Sequence, residues 1–168
     1  MVNVRFAMVL VSVCLHNSGF GQNMSVGYLR TAFKESVEIQ KESILGGCEY
    51  YDWVACDQDS AYYKADTVVL FQEALSHADC CRRMRRSFHD GKTFTLIQDR
   101  YCQEPPICGI TFQDQRLVAE LSKKDAGLVL RVMQGKVLRD EFQVIALEAP
   151  DISCGKRMHK LTLLRMRK

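Results

Sequence analysis

Between residues 26 and 45 the apolar positions Val26, Leu29, Phe33, Val37 and Ile44 recur at spacings that hold one face of a helix. Lys34 can pair with Glu38, and Glu38 with Lys41, along the other face. Gly46-Gly47 then supplies a stop and a turn. The pattern predicts a second helix from about Thr67, with Asp66 as its N-cap and Leu70, Phe71, Ala74, Leu75, Ala78 and Cys81 on its inner face. After Gly91 the period changes to two. "KTFTLIQ" puts Phe94 and Leu96 on one face and Thr93, Thr95 and Ile97 on the other. "GITFQ", "RLVAEL" and "LVLRVMQGKVLRDEFQVIALEA" continue the alternation, with a hairpin turn at Gln134-Gly135. "KLTLLRM" predicts a last strand with Leu161 and Leu163 facing inward. Pro-Pro in "CQEPPICG" marks a rigid turn between strands. Strands that follow one another without intervening helices favour an antiparallel meander. The expected fold is therefore α+β: N-terminal helices packed on an antiparallel sheet of about five strands, stabilised by disulfides. A closed lipid-binding barrel needs more strands than this pattern supplies.

The first residues change the setting. In "MVNVRFAMVLVSVCLHNSGFGQ", Arg5 precedes an apolar run from Phe6 to Leu15, and Gly19 and Gly21 follow at cleavage-site spacing. That is the layout of a secretory signal peptide over residues 1–21, and the run is too short to span a bilayer. Residues 22–168 are then expected as one exported α+β domain, with an acidic helical part (22–86) and a basic β-rich part (87–168). Export places Cys48, Cys56, Cys80, Cys81, Cys102, Cys108 and Cys154 in an oxidising compartment, where they suggest up to three disulfides. The odd cysteine allows a disulfide-linked dimer or, just as simply, a buried free thiol. Cys80 and Cys81 are expected to reach different partners, because a bond between neighbours strains the peptide. Cys102 and Cys108 could bridge the Pro-Pro turn locally or staple it to a helix, and the local bridge is preferred. Spacings of zinc-binding type are missing, so no metal is expected. Asn23 opens an "NMS" glycosylation sequon.

Charge divides the chain. Residues 22–81 carry ten acids and four bases, whereas residues 82–168 carry eighteen bases and ten acids. Complementary halves can attract each other within one fold, and an uncovered basic surface attracts polyanions. The sign changes at "CCRRMRRSF". Read as a helix, Arg82, Arg83, Arg85 and Arg86 span about 160° of its circumference, a pattern suited to sulfated chains, and Lys156, Arg157 and Lys160 could extend the face. Read as a free strand, Arg83 to Arg86 before Ser87 form a convertase cleavage motif, with the cut between Arg86 and Ser87. Read as a helix end, the arginines simply complement the helix dipole.

Catalytic chemistry is poorly represented. His77, His89 and His159 sit in no recognised catalytic motif. "DQDSAYYKADTV" fails as a calcium loop: Ala61 and Tyr62 stand where a ligand and a glycine are needed, and Val68 replaces the terminal glutamate. Tyr50, Tyr51, Trp53, Tyr62 and Tyr63 cluster around Cys56, as core or as a binding surface. No pattern calls for a cofactor. The leading expectation is a secreted extracellular binding protein rather than an enzyme. Its expected partner is a protein or a glycosaminoglycan, not nucleic acid, and it has no stable membrane anchor. The alternatives are a small secreted carrier of an apolar ligand and an enzyme whose site forms no local motif.

Overall fold

The computed structural model describes residues 24–46, 51–74, 80–102, 107–110, 116–125, 127–153 and 156–167. The chain opens with helix α1 (Val26–Gly46) and strand β1 (Tyr51–Cys56). A short 3-10 turn (Gln58–Ser60) and the four-residue helix α2 (Ala61–Lys64) lead into β2 (Thr67–Ala74). The remaining strands are β3 (Arg82–Phe88), β4 (Thr93–Arg100), β5 (Ile107–Ile110), β6 (Arg116–Lys124), β7 (Gly127–Gln134), β8 (Val137–Ser153) and β9 (Lys156–Arg165).

These strands hydrogen-bond in the order β3-β1-β2-β9-β8-β7-β6-β4-β5, and β3 also pairs with β4. That last pairing closes the sheet into an eight-stranded antiparallel barrel, with β5 attached outside the ring along β4. The expected layer of helices on a five-stranded sheet is thereby overturned. One main helix and a closed barrel take its place. Closure gives each ring strand a partner on both sides and leaves no barrel edge open to another chain.

The correction rests on two segments. Thr67–Ala74 form β2, not a helix, and Leu75 and Ala78 lie outside the described residues. Thr67, Val68 and Val69 are β-branched, which favours a pleated strand. Val68, Leu70 and Gln72 point into the barrel, while Phe71 faces out. The arginine run forms β3, also not a helix, between β1 and β4. Its alternation buries Met84, Arg86 and Phe88 inside. Elsewhere the period-two reading holds: Gln134 pairs with Val137 across a two-residue turn whose Gly135 has φ +57°, and Leu161 and Leu163 are fully buried.

Helix α1 plugs one end of the barrel. Leu29, Ala32 and Phe33 are buried, and Phe33 meets Trp53 edge-on at 5.5 Å and stacks on Phe88 at 4.2 Å. The β3–β4 connection runs close under the helix: a Cβ on Gly91 would lie 2.8 Å from Lys34 Cγ and 3.3 Å from the Arg30 carbonyl. Because successive ring strands run antiparallel, the ends of β1, β4, β7 and β9 share the opposite end with the starts of β2, β3, β6 and β8. Two disulfides staple that end. Cys56–Cys80 joins the end of β1 to the start of β3, and Cys81–Cys102 joins β3 to the residues after β4. The neighbouring cysteines thus reach different partners, as expected. The preferred Cys102–Cys108 bridge does not form, since Cys102 is taken by Cys81. Each bridge closes a loop of just over twenty residues, worth about 3 kcal/mol by restricting the unfolded chain. Cys48, Cys154, Asn23, His77 and residues 1–21 lie outside the described residues, as does the side chain of Cys108.

Candidate functional site

A cavity of about 570 Å³ opens at the unplugged end of the barrel. Its deeper wall is apolar: Phe94 and Leu96 from β4, Leu117 from β6 and Val132 from β7. Exposed Tyr63 of α2 stands at the mouth with Gln134, Arg139, Asp140 and Arg165, while the buried Tyr62 side chain reaches inward to Arg86. Apolar walls with a few placed polar groups, at this volume, are the usual make-up of a small-molecule site. The interior of an eight-stranded barrel is either filled by its own side chains or holds one small molecule.

The mouth is held by a network. Arg165 pairs with Asp140, and its other guanidinium nitrogens donate to the Tyr62 carbonyl at 2.6 Å and the Ala65 carbonyl at 3.4 Å. One side chain therefore ties β9 to β8 and to the α2 segment. Arg139 donates from Nε to Gln134 Oε1 at 2.7 Å across the β7–β8 turn. Tyr63 is more than half exposed and packs edge-on against Tyr62 at 5.0 Å. Partial burial, with Tyr62 and Asp57 adding to it, pushes the Tyr63 phenol above its ordinary value, so it remains a neutral donor at physiological pH.

Arg86 lies beneath the apolar wall. It is 1% exposed, and its Nε and Nη2 both donate to Tyr62 Oη, at 3.2 and 2.8 Å. Its guanidinium carbon stands 5.4–5.7 Å from the ring centres of Tyr62, Phe94 and Phe142. Across the barrel wall the register places Gln72, Trp53, Arg86 and Leu96 side by side on four neighbouring strands. Polar groups on this row are poorly served. Trp53 Nε1 and both amide atoms of Gln72 are buried and find no hydrogen-bond partner among the described residues.

Arg83 and Arg85 lie on the outer face of β3, and Arg82 shares the inward parity of Met84 and Arg86 at the strand's start. Arg85 donates to Asp52 at 2.8 Å and to Asp99 at 3.0 Å, carboxylates on the two flanking strands. Burial pushes the Asp52 carboxyl up against the opposing pull of Arg85. Arg83 is buried, with its guanidinium 5.0 Å from the Tyr101 ring centre, and Arg82 stands 3.6 Å from Asp57. Acidic residues of the first half thus face bases of the second. Lys160 lies three strands away from Arg85 in register and is 3.4 Å from Glu148; the side chains of Lys156 and Arg157 are outside the described ones. The Arg86–Ser87 bond sits inside β3, where Arg86 pairs with Trp53 and Leu96. An extended free segment, which a convertase needs, is therefore absent there in the folded barrel.

Neither described histidine lines the cavity. His89 meets Thr95 Oγ1 at 2.7 Å on the surface, and buried His159 meets Glu35 at 3.2 Å beside the helical plug. Sequence reasoning brings Tyr62 and Tyr63 forward only as part of an aromatic cluster. It misses Leu117, Val132, Arg139, Asp140 and Arg165, whose sole sequence signal is strand alternation. No family model, curated protein or solved structure matches this chain.

Proposed function

We propose that the protein is an exported carrier that holds one small, largely apolar molecule in the open end of its barrel. The observation that carries this reading is the 570 Å³ cavity, walled by Phe94, Leu96, Leu117 and Val132 and backed by the α1 plug at the far end. Docking through an arginine face has weaker support, since Arg83 and Arg86 are buried and Arg85 is engaged by two carboxylates. No described histidine lines the cavity, and its polar groups are arranged for holding a molecule. Export rests on the apolar leader and fits the two disulfides.

The test is native mass spectrometry of protein secreted from eukaryotic cells, followed by organic extraction. A carrier shows one extractable small molecule per chain, or takes up one equivalent of a neutral amphiphile when stripped. Protein that carries nothing and takes up nothing contradicts the proposal.

A further inference from the structure

We infer that the carried molecule has a carboxylate head, received at the inner end of the cavity by the Tyr62 hydroxyl and Arg86 acting together. The inference rests on the carrier reading and adds the chemistry of the ligand. A guanidinium buried to 1% exposure is normally matched by a carboxylate, because an uncompensated interior charge is costly. Arg86 has none among the described residues. Its hydrogen bonds go to a neutral phenol, and three aromatic faces surround it.

Tyr62 connects this charge to the cavity. Its oxygen accepts two bonds from Arg86, and its own O–H donates to none of the described residues. Tyr62 and Phe94 both line the cavity and both contact Arg86. The phenol proton is thus the donor that a head group at the cavity floor would meet, with a full positive charge directly behind it. At the mouth the charge of Arg165 is already matched by Asp140. An ionised carboxylate on an apolar body satisfies the donor, the charge and the walls at once. An amine would meet a like charge, and an alcohol would leave the charge unmatched.

The experiment is calorimetric titration of the full secreted protein with laurate and with dodecanol, which share a chain and differ in the head. The expected result is laurate binding tighter by about tenfold or more, the range of a charge-assisted bond in a buried site. Tyr62→Phe and Arg86→Met should each bring that ratio towards one while dodecanol binding persists. Lys123→Gln, at an exposed base that does not line the cavity, should leave the ratio unchanged. Equal affinities in the wild type would overturn the head-group assignment and leave the carrier reading standing. A preference kept in Tyr62→Phe but lost in Arg139→Gln would place the head at the rim and also overturn it. Binding of neither molecule would overturn the carrier reading itself. Should Arg86→Met fail to fold, the wild-type ratio and Tyr62→Phe still decide the matter.

Discussion

Phe33 of α1 lies almost parallel to Phe88 of β3, with ring centres 4.2 Å apart and planes 16° from each other. The contact seats the helix in the barrel's end and joins two segments 55 positions apart in the chain. Phe33 also meets Trp53, so its loss opens a void among aromatic residues. Phe33→Ala should destabilise the protein by about 3–5 kcal/mol. Urea unfolding followed by Trp53 fluorescence measures it.

Outside the barrel, Arg85 compensates two nearly buried carboxylates. Removing it as Arg85→Met leaves Asp52 and Asp99 without their shared cation and should cost about 3–5 kcal/mol. Replacing a solvent-facing base such as Lys123 should change stability by less than about 0.5 kcal/mol. Parallel urea melts compare the two.

The pH dependence carries two opposite signs. Burial raises the Asp52 carboxyl above 3.8, so the folded state binds this proton more tightly than the unfolded chain. Between the two values the Asp52 contribution is unfavourable at higher pH and is relieved as pH falls. Relative to Asp52→Asn, the wild type should therefore gain stability on acidification. Asp90 behaves oppositely. Slight burial opposes ionisation there, but N–H donors of Thr93 and Lys92 hold its carboxyl below 3.8. Its stabilisation is present above 3.8 and is lost as pH falls through the lower folded value. Relative to Asp90→Asn, the wild type should lose stability over that acidic range. Stability curves of the three proteins from pH 2 to 7 check both signs.

Gln72 points into the barrel with neither amide atom bonded to a described residue. An apolar side chain of similar shape removes that desolvation cost. Gln72→Met should stabilise the protein by about 1 kcal/mol, raising Tm by about 2–4 °C. A lowered Tm would show that the amide has a partner in solution.

The arginine motif gives a prediction about proteolysis. Arg86–Ser87 lies in a strand paired on both sides. A furin-type protease should leave the folded protein whole and cut it after Arg86 only once it has been reduced and unfolded. Intact mass before and after treatment separates the two cases.

Legibility in the sequence was uneven for physical reasons. Helix α1 is readable because Leu29, Phe33 and Val37 all bury one stripe, and the β7–β8 turn because Gly135 supplies a positive φ. β2 is misread because Leu70, Phe71 and Ala74 also fit a helical stripe; the β-branched start at Thr67-Val68-Val69 is the better signal. β3 hides because its inward positions include a charge, Arg86, where hydrophobic periodicity expects an apolar residue. β1 hides among aromatic residues that read as a patch. With these strands missing, closure is invisible, and so is a cavity whose walls come from residues 62 to 165.

The most direct test of the carrier account is a fluorescence titration with the neutral apolar dye N-phenyl-1-naphthylamine. The account predicts saturation at one dye per wild-type chain, and weakening by about tenfold or more when Leu96→Trp and Leu117→Trp together fill the cavity, since each lost apolar contact group is worth about 1–3 kcal/mol. Dye binding that is absent, or that survives unchanged in the filled variant with its fold intact, would contradict it.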